Sequence, residues 1–282
     1  MTVVDIDGLR PWIGRTETAT DQVTAAALAG LAATLDREEA MPAPGDPAPP
    51  GSHWLFFHPR ARQSALDEVG HAKTGEFLPP APLPRRLWAG GRLTFHRPLR
   101  VGEPVRRVGT IRDISVKQGR SGALVFILVH YAISGEDGLA VEEEHDIVYR
   151  DAPKPDAKPQ PPIAAPDGAT WHHEVQPDPT LLFRFSALTF NASRIHYDRP
   201  YVTEVEGYPG LIVNARLIAL MLMERCTTET PAARLAGFDF RFVRPLFDTA
   251  PFTLAGKRGD GAFDLWAKNS EGHLAMSATA RF

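Results

Sequence analysis

The chain contains a single cysteine, Cys226. That excludes a disulfide within the chain and a metal cage built from cysteines. Neither sign of charge dominates: 31 Lys and Arg stand against 34 Asp and Glu, for a net charge of -3 and a pI near 6.4. Such a balance gives no electrostatic footprint for nucleic acid or for an anionic membrane. No apolar run approaches the roughly 18 residues that span a bilayer as a helix. The first residues, Met-Thr-Val-Val-Asp-Ile-Asp, are acidic and do not read as a signal peptide, so a cytoplasmic location is expected. A Gly-rich phosphate loop, a nucleotide fingerprint and a Gly-x-Ser-x-Gly elbow are also missing.

What the chain does have is 282 residues, 43% of them hydrophobic, and 26 prolines. The length suits one large domain or two of about 140 residues. Apolar residues at spacings of three and four predict a helix over 20–35 with Asp21 as its N-cap. The proline-rich segments 41–51 and 78–84 are loops, because proline lacks the donor that helices and central strands need. A weak helix is read at 64–68. Alternating β-rich runs then predict strands at 92–96, 105–116, 124–133 and 139–149, joined by glycine turns at 119–122 and 135–138. Six prolines in 151–168 mark a linker between an N-terminal unit, 1–150, and a C-terminal unit, 169–282. In the second unit helices are expected at 181–190 and 212–226, and strands at 235–242, 252–257, 262–268 and 274–282. Cys226, inside the apolar run 219–226, reads as a buried, inert thiol.

The two units share more than the order of their elements. An offset of 147 pairs Ala89, Gly90, Phe95, Arg97, Pro98, Leu99 and Pro104 with Ala236, Gly237, Phe242, Arg244, Pro245, Leu246 and Pro251. Seven identities in sixteen columns indicate a duplication. The architecture expected is α+β: two antiparallel sheets forming one continuous sheet wrapped around two central helices, each helix covering an apolar sheet face.

One stretch carries chemistry. Phe190-Asn191-Ala192-Ser193-Arg194-Ile195-His196-Tyr197-Asp198 places an amide, a cation, an imidazole, a phenol and a carboxylate between two apolar segments. His196 is the candidate for proton transfer, read against the alternative of a satisfied core histidine. Asn191 is either a site residue or a local cap at the end of the helix before it. Arg85, Arg86 and Arg92 could meet carboxylates or phosphates, or simply form a solvated face. His172-His173 and Glu142-Glu143-Glu144-His145 lack metal-ligand spacing, and no metal is expected.

These features resemble the double-hotdog branch of the MaoC-like hydratase/dehydratase superfamily. Within it, 85–92, 190–198 and 205–211 look most like hydratases of mesaconyl-C4-CoA (3-methylfumaryl-CoA) and like type-2 hydroxyacyl-thioester dehydratases. The resemblance implies His196 as the acid/base residue, with Asn191 standing where relatives carry a carboxylate and serving to position. It implies that Gly210, Asn214 and Ala215, leading into the long helix, supply the backbone N–H that holds a thioester enolate, with Tyr208 and Arg194 beside the substrate. Asp198 or Glu204 could add a carboxylate. At the offset of 147, Pro44 faces Asn191 and Pro49 faces His196, so only the second unit is expected to be active.

The expected function is therefore a cofactor-free hydro-lyase adding water to an enoyl-CoA, with CoA part of the substrate, in a homodimer without nucleic-acid or membrane partners. The alternatives are a dehydratase of 3-hydroxyacyl-CoA or acyl-carrier-protein chains, and a non-enzymatic acyl-thioester-binding module.

Overall fold

A computed structural model describes residues 4–119, 122–152, 161–259 and 261–282. Ten strands are formed: β1 (Thr16–Gln22), β2 (Arg85–Phe95), β3 (Pro104–Gly119), β4 (Gly122–Gly135), β5 (Gly138–Arg150), β6 (Trp171–Val175), β7 (Gly237–Phe242), β8 (Phe252–Arg258), β9 (Ala262–Asn269) and β10 (Leu274–Arg281). They make one antiparallel sheet in the order β1-β3-β4-β5-β2-β7-β10-β9-β8-β6. That order is the same five-strand arrangement read inward from both ends, and the halves meet where β2 pairs with β7. At this seam Arg92 lies opposite Asp239, its own equivalent at the offset of 147. The strands predicted from alternation all form. The two that alternation missed, β1 and β6, are the edges, whose sequences Thr-Glu-Thr-Ala-Thr-Asp-Gln and Trp-His-His-Glu-Val keep solvent-facing strands polar.

The Trp-Ala-Gly-Gly motif has a packing reason at the seam. A Cβ on Gly90 would lie 2.5 Å from the carbonyl oxygen of Phe240, and one on Gly91 would lie 2.8 Å from that of Glu144. Only glycine lets β2 sit between β5 and β7 at this height.

Among the described residues four α-helices accompany the sheet: α1 (Ile6–Leu9), α2 (Ala25–Thr34), α3 (Pro179–Leu188) and α4 (Ala215–Glu229). α3 starts at the Asp178 cap, whose side chain accepts from Leu181 N–H, with Pro179 in the first turn. α4 is apolar on nearly every side, and Leu217, Ile218, Ala219, Leu222, Met223 and Cys226 are essentially inaccessible. A helix of that kind belongs inside, and α4 lies against β7 to β10. Burial pushes the Cys226 thiol up to about 12, which fits the inert reading.

Three expectations need correction. The helix expected over 20–35 begins at Ala25, because 20–22 belong to β1. Asp21 does not cap it and instead accepts from the amide of Phe57 at 2.7 Å. The expected helix 212–226 begins at Ala215, since Ile212 bridges Phe247 and Val213 N–H bonds to Leu246. The weak helix at 64–68 is a single turn, Gln63–Ala65. The first half has no long helix equivalent to α4; the short turn Ser52–Leu55 takes its place. Of the linker 151–168, residues 153–160 lie outside the described residues; its tail runs along the 272–274 turn, with Ala165 N–H bonded to Gly272.

Candidate active site

Residues 190–213 form the loop between α3 and α4. Phe190 ends α3 in a left-handed conformation (φ 49), and Asn191 N–H returns to the carbonyl of Ser186. His196 is 8% exposed. Its Nδ1 lies 2.7 Å from the carbonyl oxygen of Ile212, so in the neutral ring Nδ1–H donates there and Nε2 keeps its lone pair. Burial pulls the imidazole below its ordinary value, only partly opposed by the Ile212 bond, so the ring is neutral at pH 7. A neutral imidazole with Nε2 free is a competent proton acceptor.

The start of α4 lies close by, because Ile212 leads directly into it. Asn214 is the N-cap, and its side-chain oxygen accepts from Arg216 N–H at 2.9 Å. The N–H of Ala215 has no hydrogen-bond partner among the described residues. A free N–H at the positive end of a fifteen-residue helix can hold an oxyanion.

Most of the other residues singled out from sequence have occupied polar groups. Asn191 accepts from Ser193 N–H at 3.0 Å, an arrangement of the local-cap kind. Arg194 donates to Asp198 and to the carbonyl of Glu68, and its guanidinium lies 3.9 Å from the ring centre of Tyr201. Asp198 also accepts from Tyr201 N–H; that bond and Arg194 hold its carboxyl below the usual range. Glu204 is exposed. Tyr208 hydroxyl takes a long bond from Arg85, which pairs with Glu206 at 2.9 Å. Gly210 serves packing, since a Cβ there would lie 2.6 Å from Asp248 Oδ1. Arg92 is paired with Glu144 and Asp146.

Two groups of residues were not legible from sequence. The turn 67–71 of the first half docks onto the loop: Arg194 N–H bonds to Val69 at 2.9 Å, and a Cβ on Gly70 would lie 1.9 Å from the Ala192 carbonyl oxygen. His71 in this turn is held down to about 4, first by burial and then by the nearby Arg86, with a further contribution from His196. Its signal was a polar turn, Asp67-Glu-Val-Gly-His71, inside a long loop between proline clusters.

The second group is a buried polar network in the first half; sequence weighed its Glu143 and His145 only as metal ligands and gave no sign of their partners His53 and Trp54. Glu143, 3% exposed, accepts from Trp54 Nε1 at 2.8 Å, and His53 and His145 lie 3.2 and 2.6 Å from its oxygens. Burial alone would raise this carboxyl; the imidazoles of His145 and His53 outweigh it and hold the group well below the usual range. Arg216, from the first turn of α4, stacks over Trp88 at 4.9 Å, and Trp88 packs against His145 and Phe240. No group of three His, Cys, Asp or Glu suited to a metal ion occurs among the described residues. Two surface hollows of about 280 Å³, one under His172 and Trp266 and one between α2 and α4, do not border His196.

One continuous antiparallel sheet made of two like halves, with a buried helix packed against it, defines a double hotdog. Solved structures with this arrangement include a MaoC-like dehydratase from Phytophthora capsici (TM-score 0.66, 15% identity, 99% of each chain). Another is a Mycobacterium tuberculosis protein described as a double hotdog (TM-score 0.59, 13% identity, 95% of this chain and 96% of that one). Residues 51–248 match hydroxyacyl-thioester dehydratase type 2. The chain is 49% identical over 268 residues, 95% of each protein, to mesaconyl-C(4)-CoA hydratase of Chloroflexus aurantiacus. It is 26% identical to the mitochondrial hydroxyacyl-thioester dehydratase type 2 of Schizosaccharomyces pombe, over 73% of this chain and 76% of that one. The chain belongs to the hydroxyacyl-thioester dehydratase type 2 family.

Proposed function

We propose that the protein is a hydro-lyase that reversibly adds water to the double bond of mesaconyl-C4-CoA (3-methylfumaryl-CoA), giving citramalyl-CoA. The observation that carries the reading is His196, buried and neutral, with Nδ1–H tied to Ile212, three positions before Ala215; neither His196 Nε2 nor Ala215 N–H has a hydrogen-bond partner among the described residues. The 49% identity to the Chloroflexus hydratase supports the substrate.

In the forward direction the water oxygen bonds to the methyl-bearing β-carbon while His196 Nε2 takes its proton. The π electrons move toward the thioester carbonyl, whose oxygen becomes an enolate held by Ala215 N–H and the positive end of α4. The carbonyl then re-forms as the α-carbon takes the proton from the imidazolium. Asn191, Arg194, Tyr208 and Gly210 shape the loop that presents His196, and Asn214 shapes the helix start that presents Ala215. No electrons leave the substrate, so the reaction as read needs no cofactor, and dialysis against a chelator leaves the rate unchanged.

The test is loss of enoyl-thioester absorbance with mesaconyl-C4-CoA, crotonyl-CoA and an acyl-carrier-protein substrate in parallel. Fastest turnover of mesaconyl-C4-CoA is expected; saturable binding of all three without turnover would overturn the reading. A cytoplasmic homodimer goes with it. Phe183, Phe190, Tyr197 and Val205 are large apolar side chains left exposed in one segment, the kind of surface a second copy covers. Light scattering that finds only monomer would remove that part.

A further inference from the structure

The site as derived has one proton-transfer group and no second acceptor from its own half. Asn191 Oδ1 is committed to Ser193 N–H, and the Asp198 carboxylate to Arg194 and Tyr201 N–H. A water poised for attack has two hydrogens, and one acceptor leaves its lone pair free to swing away from the β-carbon.

The first half brings such an acceptor. The turn 67–71 is built by Asp67, whose Oδ1 accepts from both Val69 N–H (3.0 Å) and His71 N–H (2.8 Å), while Asp67 N–H bonds back to the His71 carbonyl (2.7 Å). Its tip is fastened to 192–194 by the bonds from Arg194 to Val69 and Glu68, and Gly70 meets Ala192 with no room for a Cβ. His71 is therefore presented on a rigid turn locked to the loop that carries His196. Its ring nitrogens have no hydrogen-bond partner among the described residues.

The chain lengths of the two halves agree with this placement. Equivalent backbone bonds, Arg37 N–H to Ala32 and Asn191 N–H to Ser186, followed by the bridges Pro47 to Arg100 and Ile212 to Phe247, fix the register of the halves. Arg37 and Pro47 are 10 positions apart, whereas Asn191 and Ile212 are 21 apart; the second half's extra residues make the His196 loop. Between the next equivalent bonds, Ala48 to Leu99 and Val213 to Leu246, the first half takes 51 positions and the second 33. The first half's extra residues include the turn 67–71. Each half spends its surplus length on one side of the same contact.

We propose that His71 is a second catalytic imidazole, which accepts a hydrogen bond from the attacking water while His196 takes the water's other hydrogen. In the dehydration direction the same pair holds the β-hydroxyl. This role needs a neutral ring, and burial beside Arg86 keeps His71 neutral throughout the physiological range. The inference rests on the hydration reading above.

The experiment is steady-state kinetics of wild type, H71A, H71N, H196A and the double variant H71A/H196A with mesaconyl-C4-CoA, with thermal melts alongside. H71A is expected to lower kcat about 10- to 100-fold with KM changed by no more than about threefold. H71N, which keeps an acceptor oxygen, falls between H71A and wild type, and added imidazole restores part of the H71A rate. H71A/H196A is no slower than H196A alone, as for two groups acting on one water. If wild type turns over while H71A and H71N both keep more than half of kcat, the inference falls and the hydration reading stands. Equal losses in both variants, in step with lowered melting and without imidazole rescue, also overturn it. If wild type hydrates none of the thioesters, the functional reading itself has failed.

Discussion

The two halves share a scaffold down to individual backbone bonds and then part company in the segments that follow their first equivalent helices. The N–H groups of His96 and Arg97 both reach the carbonyl of Ala140, and those of Val243 and Arg244 both reach Ala275. Asp36 and Phe190, 154 positions apart, are both left-handed at the end of equivalent helices. After those residues the second half inserts the His196 loop and continues into α4. The first half has a proline loop and a short aromatic turn there, and fills the space with Trp54, Trp88 and the Glu143 network. One half has the helix start and His196, the proposed acid/base residue, whereas the other has a docking turn and a buried polar cluster. Duplication preserved the sheet because the sheet bonds are backbone bonds, which tolerate side-chain change.

The largest effect that would sharpen this contrast is loss of the proton transfer proposed for His196 in the second half. His196→Ala should lower kcat about 10² to 10⁴-fold while circular dichroism and melting stay near wild type. Turnover within a factor of two of wild type would remove the asymmetry. The matching probe of the first half is stability. Glu143→Ala strips the acceptor from His53 and Trp54 and the carboxylate beside His145, and should cost about 3–5 kcal/mol in urea unfolding. A cost under about 1 kcal/mol would mean the network is incidental.

The contact between the halves gives smaller effects. Gly70→Ala forces a Cβ against the Ala192 carbonyl at φ +96 and should cost about 2–3 kcal/mol, with kcat falling alongside. Gly75→Ala, at φ +113 in open space, should cost about 1 kcal/mol and spare kcat. Similar effects at both glycines would argue that the turn does not dock. The acidic range gives a subtler test. His71 titrates near 4 in the folded chain and near its ordinary value when unfolded, so between those values the unfolded state holds more protons. Its contribution to stability is complete above about pH 6.5 and is lost as pH falls toward 4. The lowered His196 acts in the same direction. Unfolding free energies at pH 7.5, 5.5 and 4.5 should fall less steeply in H71N than in wild type.

The sequence by itself determined most of the scaffold. Alternation placed the eight inner strands, the repeat at 89–104 announced the duplication, and the crowding of Asn191, Arg194 and His196 into one loop marked the candidate site. Those signals are local: each depends on residues within a few positions of one another. The offset of 147 also predicted that the first half lacks a second His cluster, although it matched Pro44 with Asn191. In the structure Asn191 corresponds to Arg37, because the halves carry insertions of different length on either side. Tertiary structure alone decided the polar edge strands, which have no apolar rhythm to read. It alone showed that Arg194 and Asp198 satisfy each other, that the Ala215 N–H has no partner among the described residues, and that Glu143 gathers partners from positions 53, 54 and 145. It alone carried the turn at 67–71 to a loop more than 120 positions away, and no local pattern encodes that meeting, because only closure of the sheet at β2 and β7 brings the two insertions together.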